Sequence, residues 1–304
     1  MRRILRGAIT VLLVVAGAAG IVLVERHDTG AREGASAAND RLAAFPQVPE
    51  GRRISSSWFC PGAAGGDGVT SAYVNISNPG DTDLLATVTM MGPEKSTQEP
   101  VTVAPRSRTQ FEFLRGATVG VVVPHVELVG TTGTVEQQLD FPGGDVTSQC
   151  APDTSPTWYF ADGFTAEGSK ERIVVTNPYP DPAVVDLTFT TKDGPRRPAN
   201  LLGLVIGPRT ARSFSMPDIG AADEVRLAVS VSATTGRVVV SRIQHYLGLG
   251  RLGYSTTVGI PRPLGQWWFT SGRTGAQVEE LLIAHNPADR SEEHTSELQS
   301  PYVI

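Results

Sequence analysis

Trp158-Tyr159-Phe160-Ala161-Asp162-Gly163 opens a stretch that runs through an apolar segment to Asn177-Pro178. The same phrase stands earlier, from Trp58-Phe59 through Gly62 to Asn78-Pro79, and begins again later, from Trp267-Trp268 through Gly272 to Asn286-Pro287. The copies start about 100 residues apart, which is the length of one β-sandwich domain. This recurrence predicts tandem modules rather than one large enzyme fold.

The copies agree beyond their opening phrase. Residues 84–90 and 183–189 follow the first two Asn-Pro pairs, and both segments have the composition and partial alternation of β-strands. Each copy then steps into a Pro-Arg turn, at Pro105-Arg106 and at Pro208-Arg209. Proline suits a turn or a sheet edge because it cannot donate a hydrogen bond within a central strand. The two copies therefore share a succession of strands and turns.

Each copy ends with two apolar runs around a Thr-Gly pair. In the first copy these runs are residues 119–129 and 134–141, and in the second they are residues 225–232 and 237–246. Glycine tolerates the positive φ that a tight reversal requires. The pattern predicts that the two runs of each copy pair with one another as a closing hairpin.

These features together predict an all-β fold. No long amphipathic helix interrupts the runs, and 32 Gly and 22 Pro in 304 residues provide frequent turns. We expect tandem antiparallel β-sandwich modules, immunoglobulin-like in the loose sense, over residues 53–152 and 153–264. Residues 265–289 are predicted to be the truncated start of a third module.

The Trp and Asn residues of the phrase are predicted to be architectural anchors. A Trp that opens a module buries a large apolar surface and fixes the entry of the first strand. The alternative is an aromatic platform that binds a sugar or a peptide, but repetition at the same place in each module favours architecture. The anchor residues are Trp58, Trp158, Trp267, Asn78, Asn177 and Asn286.

The N-terminal residues predict export. Three arginines within residues 1–6 precede an uncharged apolar run over residues 7–24, and eighteen helical residues span about 27 Å, close to the thickness of the bilayer core. The run is longer than the apolar region of a typical signal peptide, so we favour a single retained transmembrane helix over cleavage and secretion. The arginines place the N-terminus in the cytoplasm and the rest of the chain outside the membrane. Residues 25–52 read as a flexible linker.

The two cysteines fit this location. Cys60 lies in the first phrase and Cys150 follows the last apolar run of the same copy. A disulfide between them would close a loop of about 90 residues and contribute on the order of 4 kcal/mol in the chain-entropy model. Such a bond needs an oxidising compartment, whereas the spacing does not match a zinc site or a redox motif. Two unrelated buried thiols are the alternative.

The C-terminal residues have a different origin from the rest of the chain in our interpretation. Residues 290–304 resemble the translation of a common short-read sequencing adapter. We therefore interpret this tail as an assembly artefact and leave it out of the fold argument. The native protein is expected to continue with the rest of the third module.

The charge of the chain argues against one class of partner. The formal net charge is −5, whereas surfaces that bind nucleic acid are usually basic. We therefore predict no nucleic-acid partner.

No catalytic, cofactor-binding or metal-binding site is predicted. The segment Gly248-Leu249-Gly250-Arg251-Leu252-Gly253 fits the letters of a dinucleotide motif, but strand-like residues 254–258 follow where that motif needs a helix. His125 and His245 lie within the two modules without a Ser or Cys partner in a nucleophile motif. A His in such a setting is more often a partly buried polar residue than a catalytic base.

The acidic residues offer two further alternatives. Asp81 and Asp83 resemble half of a calcium loop, but the Gly and the distal Glu of that loop are missing. Glu127, Glu136 and Asp140 would face one another across the first predicted hairpin and could supply the carboxylate pair that glycoside hydrolysis requires. Clustering of these carboxylates in a concave site would favour an enzyme, and dispersal would remove this candidate.

The set of motifs resembles an uncharacterised actinobacterial family of membrane-anchored, secreted-type proteins that is known only as a domain of unknown function. The resemblance rests on the arginine-flanked apolar segment, the Trp phrase, the strand into Asn-Pro and the Pro-Arg turn, over about residues 58–287. It implies an extracytoplasmic location and brings no catalytic residues.

The sequence thus predicts a non-enzymatic envelope protein. It would be a structural or interaction scaffold held at the cell membrane through residues 7–24, contacting envelope proteins or wall glycan through loops or a sheet edge. The alternatives are an envelope enzyme that acts on glycan and an accessory subunit of a transport or wall-synthesis complex.

Overall fold

The computed structural model describes residues 54–66, 68–114, 120–130, 132–269 and 280–287, together with Gly272 and Gly275. All of these residues belong to one compact unit. The predicted cytoplasmic tail, membrane anchor, linker and adapter-derived tail lie outside them. Within the described part of the chain, no helix is both long enough and apolar enough to cross a bilayer.

The first nine strands form module one. They are β1 (Ser55–Phe59), β2 (Ala63–Gly65), β3 (Ser71–Asn78), β4 (Leu84–Met91), β5 (Ser96–Val103), β6 (Ser107–Glu112), β7 (Gly120–Val129), β8 (Thr134–Phe141) and β9 (Gly144–Gln149). They build two antiparallel sheets, one in the order β1-β7-β4-β5 with β2 also paired to β7, and one in the order β6-β3-β8-β9.

The next nine strands form module two and repeat this plan. They are β10 (Thr157–Gly163), β11 (Lys170–Asn177), β12 (Ala183–Thr191), β13 (Gly194–Arg196), β14 (Leu204–Ile206), β15 (Thr210–Ser215), β16 (Leu227–Thr235), β17 (Val239–Gly248) and β18 (Arg251–Val258). One sheet has the order β10-β16-β12-β13 with β14 also on β12, and the other has the order β15-β11-β17-β18. Three short 3-10 helices, Ala166–Gly168, Ala199–Leu201 and Pro217–Ile219, lie between strands.

Alternating side chains build a core between the two sheets of each module. In β4, Leu84, Ala86 and Val88 are buried and Leu85 points outward, as the two-residue period of a strand requires. They pack with apolar side chains of the opposite sheet, such as Val74 of β3, into one buried cluster. Each buried Leu or Val side chain contributes about 2 kcal/mol when it leaves water. The predicted all-β fold is confirmed, and two sheets around one core are consistent with a β-sandwich.

The predicted closing hairpins are wrong. β7 and β8 lie in opposite sheets, and so do β16 and β17, so the chain crosses the sandwich where we expected a reversal within one sheet. The physical reason is that β7 already has neighbours on both sides, β1 and β4, while β8 lies between β3 and β9. A strand with two hydrogen-bonded neighbours has no free edge for a hairpin partner.

A third buried cluster joins the two modules. Module one contributes side chains from the outer face of its β1-β7-β4-β5 sheet, and module two contributes side chains from the outer face of β15-β11-β17-β18. The cluster consists of Ala64, Met91, Val121, Val123, Val174, Ala211 and Ile243. Polar contacts surround it, because the Ala211 amide donates to the carbonyl of Gly92 at 2.9 Å and the Ser241 hydroxyl donates to the carbonyl of Pro61 at 2.6 Å.

Candidate functional site

The two Asn-Pro turns are held by the same set of hydrogen bonds from a buried Asn side chain to the backbone, and we call each such set a clasp. Asn78 Nδ2 donates to the carbonyls of Thr82, Val103 and Ala104 at 2.8–3.0 Å, and its Oδ1 accepts from the amide of Gly80 at 3.0 Å. The side chain therefore ties the turn after β3 to the end of β5. Because each buried carbonyl needs a donor, the amide group satisfies backbone atoms that the strands leave open.

Asn177 repeats the clasp in module two. Its Nδ2 donates to the carbonyls of Asp181, Ile206 and Gly207 at 2.7–3.3 Å, and its Oδ1 accepts from the amide of Tyr179 at 3.0 Å. Both Asn side chains are buried. The third anchor, Asn286, is exposed and lies outside any strand.

Two glutamines form a second pair of clasps. Gln137 exchanges two hydrogen bonds with the backbone of Gly62, at 2.7 and 3.0 Å. Gln244 does the same with the backbone of Phe164, at 3.2 and 2.7 Å. Both glutamines are fully buried. Sequence reasoning missed this role, although the second apolar run of each copy contains a Gln, Gln137 in the first and Gln244 in the second, that could have drawn attention to it.

The tryptophans lie at different depths. Trp58 and Trp158 are buried in the cores of modules one and two, whereas Trp267 is 43% exposed. Trp158 Nε1 donates to the carbonyl of Val238 at 2.9 Å, while Trp58 Nε1 has no acceptor among the described residues. The side chain after Trp58 points the other way, so Phe59 packs with the cluster of module two and stacks on His125 at 4.4 Å between ring centroids.

The predicted disulfide is confirmed. Cys60 and Cys150 are bonded across a sequence separation of 90 residues, and both are buried. The backbone on either side is also paired, because the amides of Phe59 and Ala151 each donate to the other's carbonyl at 2.8 Å. The bond therefore staples the two ends of module one.

The carboxylates that we weighed as an alternative catalytic pair do not come together. Glu127 lies on β7, whereas Glu136 and Asp140 lie on β8 in the opposite sheet, so the predicted pair across a hairpin is wrong for the same topological reason as the hairpin itself. Glu136 forms an ion pair with Arg108 at 3.2 Å, and Asp140 accepts from Gln138 Nε2 at 3.0 Å. These contacts keep the carboxylates on the outer surface of their sheet.

The other acidic candidates form no ligand set. Asp81 pairs with Arg106 at 2.6 Å on the exposed turn, and Asp83 is exposed. In the part of the chain that the structure describes, no group of three or more His, Cys, Asp or Glu side chains could hold a metal ion.

One concentration of charge was missed by sequence reasoning, and we call it the Glu171 cluster. It comprises Asp162 on β10, Glu171 on β11, Arg242 and Tyr246 on β17, and Arg251 on β18. Arg251 Nη1 lies 3.4 Å from Asp162 Oδ1, and the Arg251 guanidinium lies 5.0 Å from the centre of the Phe164 ring. The cluster therefore sits where four strands of module two meet.

Glu171 is the unusual member of the cluster. Its side chain is fully buried, and its two carboxylate oxygens accept no hydrogen bond from the described residues. The nearby amide of Phe164 donates instead to Gln244 Oε1, and the carboxylate lies directly over Gly163, where an added Cβ would come 2.8 Å from Glu171 Cδ. Gly163 is therefore needed because no larger residue leaves room for this side chain.

The burial has an electrostatic consequence. Loss of solvation raises the pKa of Glu171 from 4.5 to about 7, and the positive charge of Arg242 offsets part of this rise. The same burial raises the pKa of Tyr246. Glu171 can therefore bind or release a proton near neutral pH, but its burial gives no substrate a path to the carboxylate in this conformation. Chemically, the cluster is a proton-linked structural element.

Module one has no such acid. Counting back six residues from the two clasp asparagines gives Ala72 in module one and Glu171 in module two. The cross-strand partner of Ala72 is Leu139, whereas the partner of Glu171 is Gln244. An apolar pair thus stands where module two has a polar one.

The third phrase repeats the acid. From Trp158, module two reaches Gly163, Glu171 and Asn177 after 5, 13 and 19 residues, and from Trp267 the chain reaches Gly272, Glu280 and Asn286 after the same intervals. An added Cβ at Gly272 would lie 2.8 Å from Glu280 Oε2. This identical spacing was the signal in the sequence that could have identified Glu171.

Comparison with known proteins reaches only part of the chain. No curated protein matches it. The crystal structure of Thermotoga maritima 1070 is similar at 19% identity with a TM-score of 0.31, over 36% of this chain and 97% of that one, a likeness too slight to support an argument. Residues 142–246, which hold most of module two, match the sequence model of a family of unknown function, DUF5719. This match confirms the predicted resemblance to an uncharacterised domain family, and the actinobacterial origin stays a prediction.

Proposed function

We propose that this chain is a non-enzymatic, extracytoplasmic protein of the cell envelope. It presents two joined sandwich modules, immunoglobulin-like in the loose sense of two facing sheets, on an N-terminal membrane anchor. It acts as a structural or interaction scaffold that contacts envelope proteins or wall glycan. Secretion after cleavage of the N-terminal segment is the alternative location.

The observation that carries this proposal is the use made of the repeated residues. Asn78 and Asn177 form the backbone clasps, and Trp58 and Trp158 pack in the two cores. Residues that recur for a chemical purpose would converge on an accessible cleft with their polar atoms free. Here the polar atoms of both asparagines and of Trp158 bind the chain itself, and Trp58 is buried in its core, which favours a supporting role.

The disulfide supports the extracytoplasmic location. Cys60 and Cys150 are bonded in module one, and the described residues contain no free cysteine. Disulfides form and persist in oxidising compartments and are rare in the cytosol of most organisms. The arginines of residues 1–6 and the apolar run of residues 7–24 give the same orientation.

Location is tested by the oxidation state of the cysteines in cells. The full chain should be recovered in the membrane fraction with its disulfide formed, and protease added to intact cells should digest the two modules. A matched variant without residues 1–24 should stay in the cytoplasm with both thiols free. Free thiols in the full-length protein, or protection from external protease, would contradict the proposed location.

Partners are tested by crosslinking in cells. The chain has only three lysines, Lys95, Lys170 and Lys192, so an amine-reactive crosslinker reports on these three side chains and the N-terminal amine. We expect an envelope protein to be captured through the exposed Lys95 or Lys192, and we expect the crosslink to disappear in the matching Lys→Arg variant. Capture of lipid and bulk wall alone would reject the version with a protein partner.

A further inference from the structure

The connection that leads out of module one recurs at the end of module two. Phe59 pairs with Ala151 through two backbone hydrogen bonds, and Trp158 follows Ala151 by seven residues. Tyr159 pairs with Ile260 in the same way, at 2.9 and 3.0 Å, and Trp267 follows Ile260 by seven residues. The chain therefore leaves module two by the route that it takes out of module one.

The first of these connections delivers module two onto the outer face of module one. Phe59 points out of the β1-β7-β4-β5 sheet and packs with residues of module two, and Val123 of the same face belongs to the cluster between modules. Module two contributes Val174 and Ile243 to this cluster. Stacking between Phe141 of module one and Tyr254 of module two, at 3.5 Å between ring centroids, extends this contact.

The residue at the position of Val174, which lies in the interface between the modules, differs among the three phrases. Module one has Asn75 at this position, three residues before its clasp asparagine, and Asn75 hydrogen-bonds to Gln138 at 3.4 Å. The third phrase has Ile283 there, with Leu281 two residues earlier. The third phrase thus carries the apolar character of a module that docks.

The outer face of the β10-β16-β12-β13 sheet in module two is the counterpart of the β1-β7-β4-β5 face in module one, on which module two docks. Tyr159 stands where Phe59 stands, and its cross-strand partner Ser230 stands where His125 stands. Thr188 and Thr190 line the same outward face of β12, and all four side chains are half-buried. Two positions of this face hold smaller side chains than in module one, Ser230 in place of His125 and Thr190 in place of Met91, which complements the larger Ile283 in the position of Val174.

We propose that this outer face is the docking site for a further sandwich module, the one that begins with the phrase from Trp267 to Pro287. The module docks in the geometry that module two already adopts on module one. The partner is thus a β-sandwich of the same kind, covalently continuous with module two. Successive modules then form a linear array in which each interface repeats the last, as in other repeat proteins. This inference does not depend on the proposed envelope function.

The test compares chains that share residues 1–264. One reference chain stops at residue 264. In a second chain, residues 1–287 are followed by residues 179–264, so that strands of module two complete the third phrase. In a third chain, residues 1–266 are followed by a whole copy of residues 158–264, which folds as module two in the present structure. Each chain carries Ser230→Cys on the proposed docking face or, as a control, Gln110→Cys on the exposed surface of module one.

The measurement is the rate at which a maleimide labels the introduced cysteine, the native cysteines being held in their disulfide. We expect labelling at position 230 to slow by about tenfold or more in both three-module chains, because thiol reactivity follows exposure, while labelling at position 110 stays unchanged. If protease cleaves the third module of the second chain, that module has not folded, and the labelling rate of the third chain is then used to test the proposal.

Two results would overturn the proposal. One is equally fast labelling at position 230 in the reference chain and in a three-module chain whose third module resists protease. The other is slow labelling in the reference chain together with a dimer in gel filtration, because the face would then receive a second copy of the chain. Neither result bears on where the protein resides in the cell.

Discussion

Modules one and two close the same edge of the sandwich by different means. In module one, Cys60 and Cys150 bond beside the backbone pair that joins Phe59 to Ala151. In module two, Phe160 and Gly259 occupy the corresponding positions beside the pair of Tyr159 and Ile260, and an added Cβ at Gly259 would lie 2.8 Å from Phe160 Cζ. The comparison shows that one backbone closure can be held by a covalent bond or by a close apolar contact.

A second contrast concerns the interiors. The fully buried pair Ala72 and Leu139 in module one is apolar, whereas its counterpart in module two is Glu171 with Gln244. An apolar pair is indifferent to pH, but a buried acid couples folding to proton binding. The two modules therefore share a fold but differ in whether proton binding at this buried pair changes their stability.

The largest expected effect comes from breaking the staple of module one. The double substitution Cys60→Ser and Cys150→Ser should lower the free energy of unfolding of module one by on the order of 4 kcal/mol, because a loop of about 90 residues is no longer closed. Urea unfolding should show the loss as a lower free energy for the single transition of the joined modules. An unchanged free energy of unfolding in the double variant would contradict the stabilising role of the disulfide.

The next effect is the pH dependence of module two. Glu171 has a pKa of about 7 in the folded state and 4.5 as its ordinary value, so the folded state binds the proton more tightly. The stabilisation is fully present below pH 4.5 and is lost as the pH rises through 7, a change on the order of 3 kcal/mol. Because the joined modules unfold together, the measurement is the difference in unfolding free energy between the wild type and Glu171→Gln, by urea between pH 4 and 8, and this difference should fall as the pH rises. A difference that does not change with pH would show that Glu171 is not responsible.

Module one should respond to pH in the opposite sense. Burial lowers the pKa of His125 from 6.5 to about 4, so the unfolded state binds the proton more tightly between these values. Stability therefore rises with pH from about 4 and is fully present above 6.5, again by on the order of 3 kcal/mol. The difference in unfolding free energy between the wild type and His125→Ser, which copies Ser230 of module two, should therefore rise over this pH range. A difference that does not change with pH would exclude His125 as the source.

The clasps should behave alike in both modules. Asn78→Ala and Asn177→Ala each remove a donor to three backbone carbonyls and should each cost about 2 kcal/mol, since buried acceptors lose their partner. Chemical denaturation of the two single variants provides the comparison. A loss in one module only would mean that the two turns are not equivalent.

The smallest expected effect sharpens the contrast at the sandwich edge. Gly259→Ala places a methyl group against the Phe160 ring and should destabilise module two by about 1–2 kcal/mol through overpacking. Gly265→Ala is the matched control, because an added Cβ there meets no atom within 4 Å. Adding Phe160→Leu should recover stability only in the Gly259→Ala background. Equal melting temperatures for Gly259→Ala and its control would reject the packing argument.

Much of the fold could be predicted from local pattern. The segments that we expected at residues 84–90 and 183–189 are the strands β4 and β12, because alternation of apolar side chains is a local property. The neighbours of β7 in module one, and those of β16 in module two, could not be predicted in this way. Turn chemistry indicates where a chain reverses, but whether it stays in one sheet depends on which edges are already occupied.

The buried acid was hidden for a related reason. Glu171 stands one residue after Lys170 in a polar stretch, so composition alone marks it as exposed. Only the contact with Gly163 and the complete burial of the side chain reveal its environment. Aligning the second and third phrases on their asparagines would have singled out this Gly and Glu by their constant spacing.

The central claim is that the modules are joined by an apolar interface into one structural unit, and exchanging its residues tests this directly. Val174→Asn with Ile243→Gln gives module two the residues that module one carries at these positions, Asn75 and Gln138. The control exchange is Asn75→Val with Gln138→Ile, away from the interface. By calorimetry, we predict one cooperative transition for the wild type and the control, and two separate transitions for the Val174 and Ile243 variant. A single transition in all three proteins would contradict the claim.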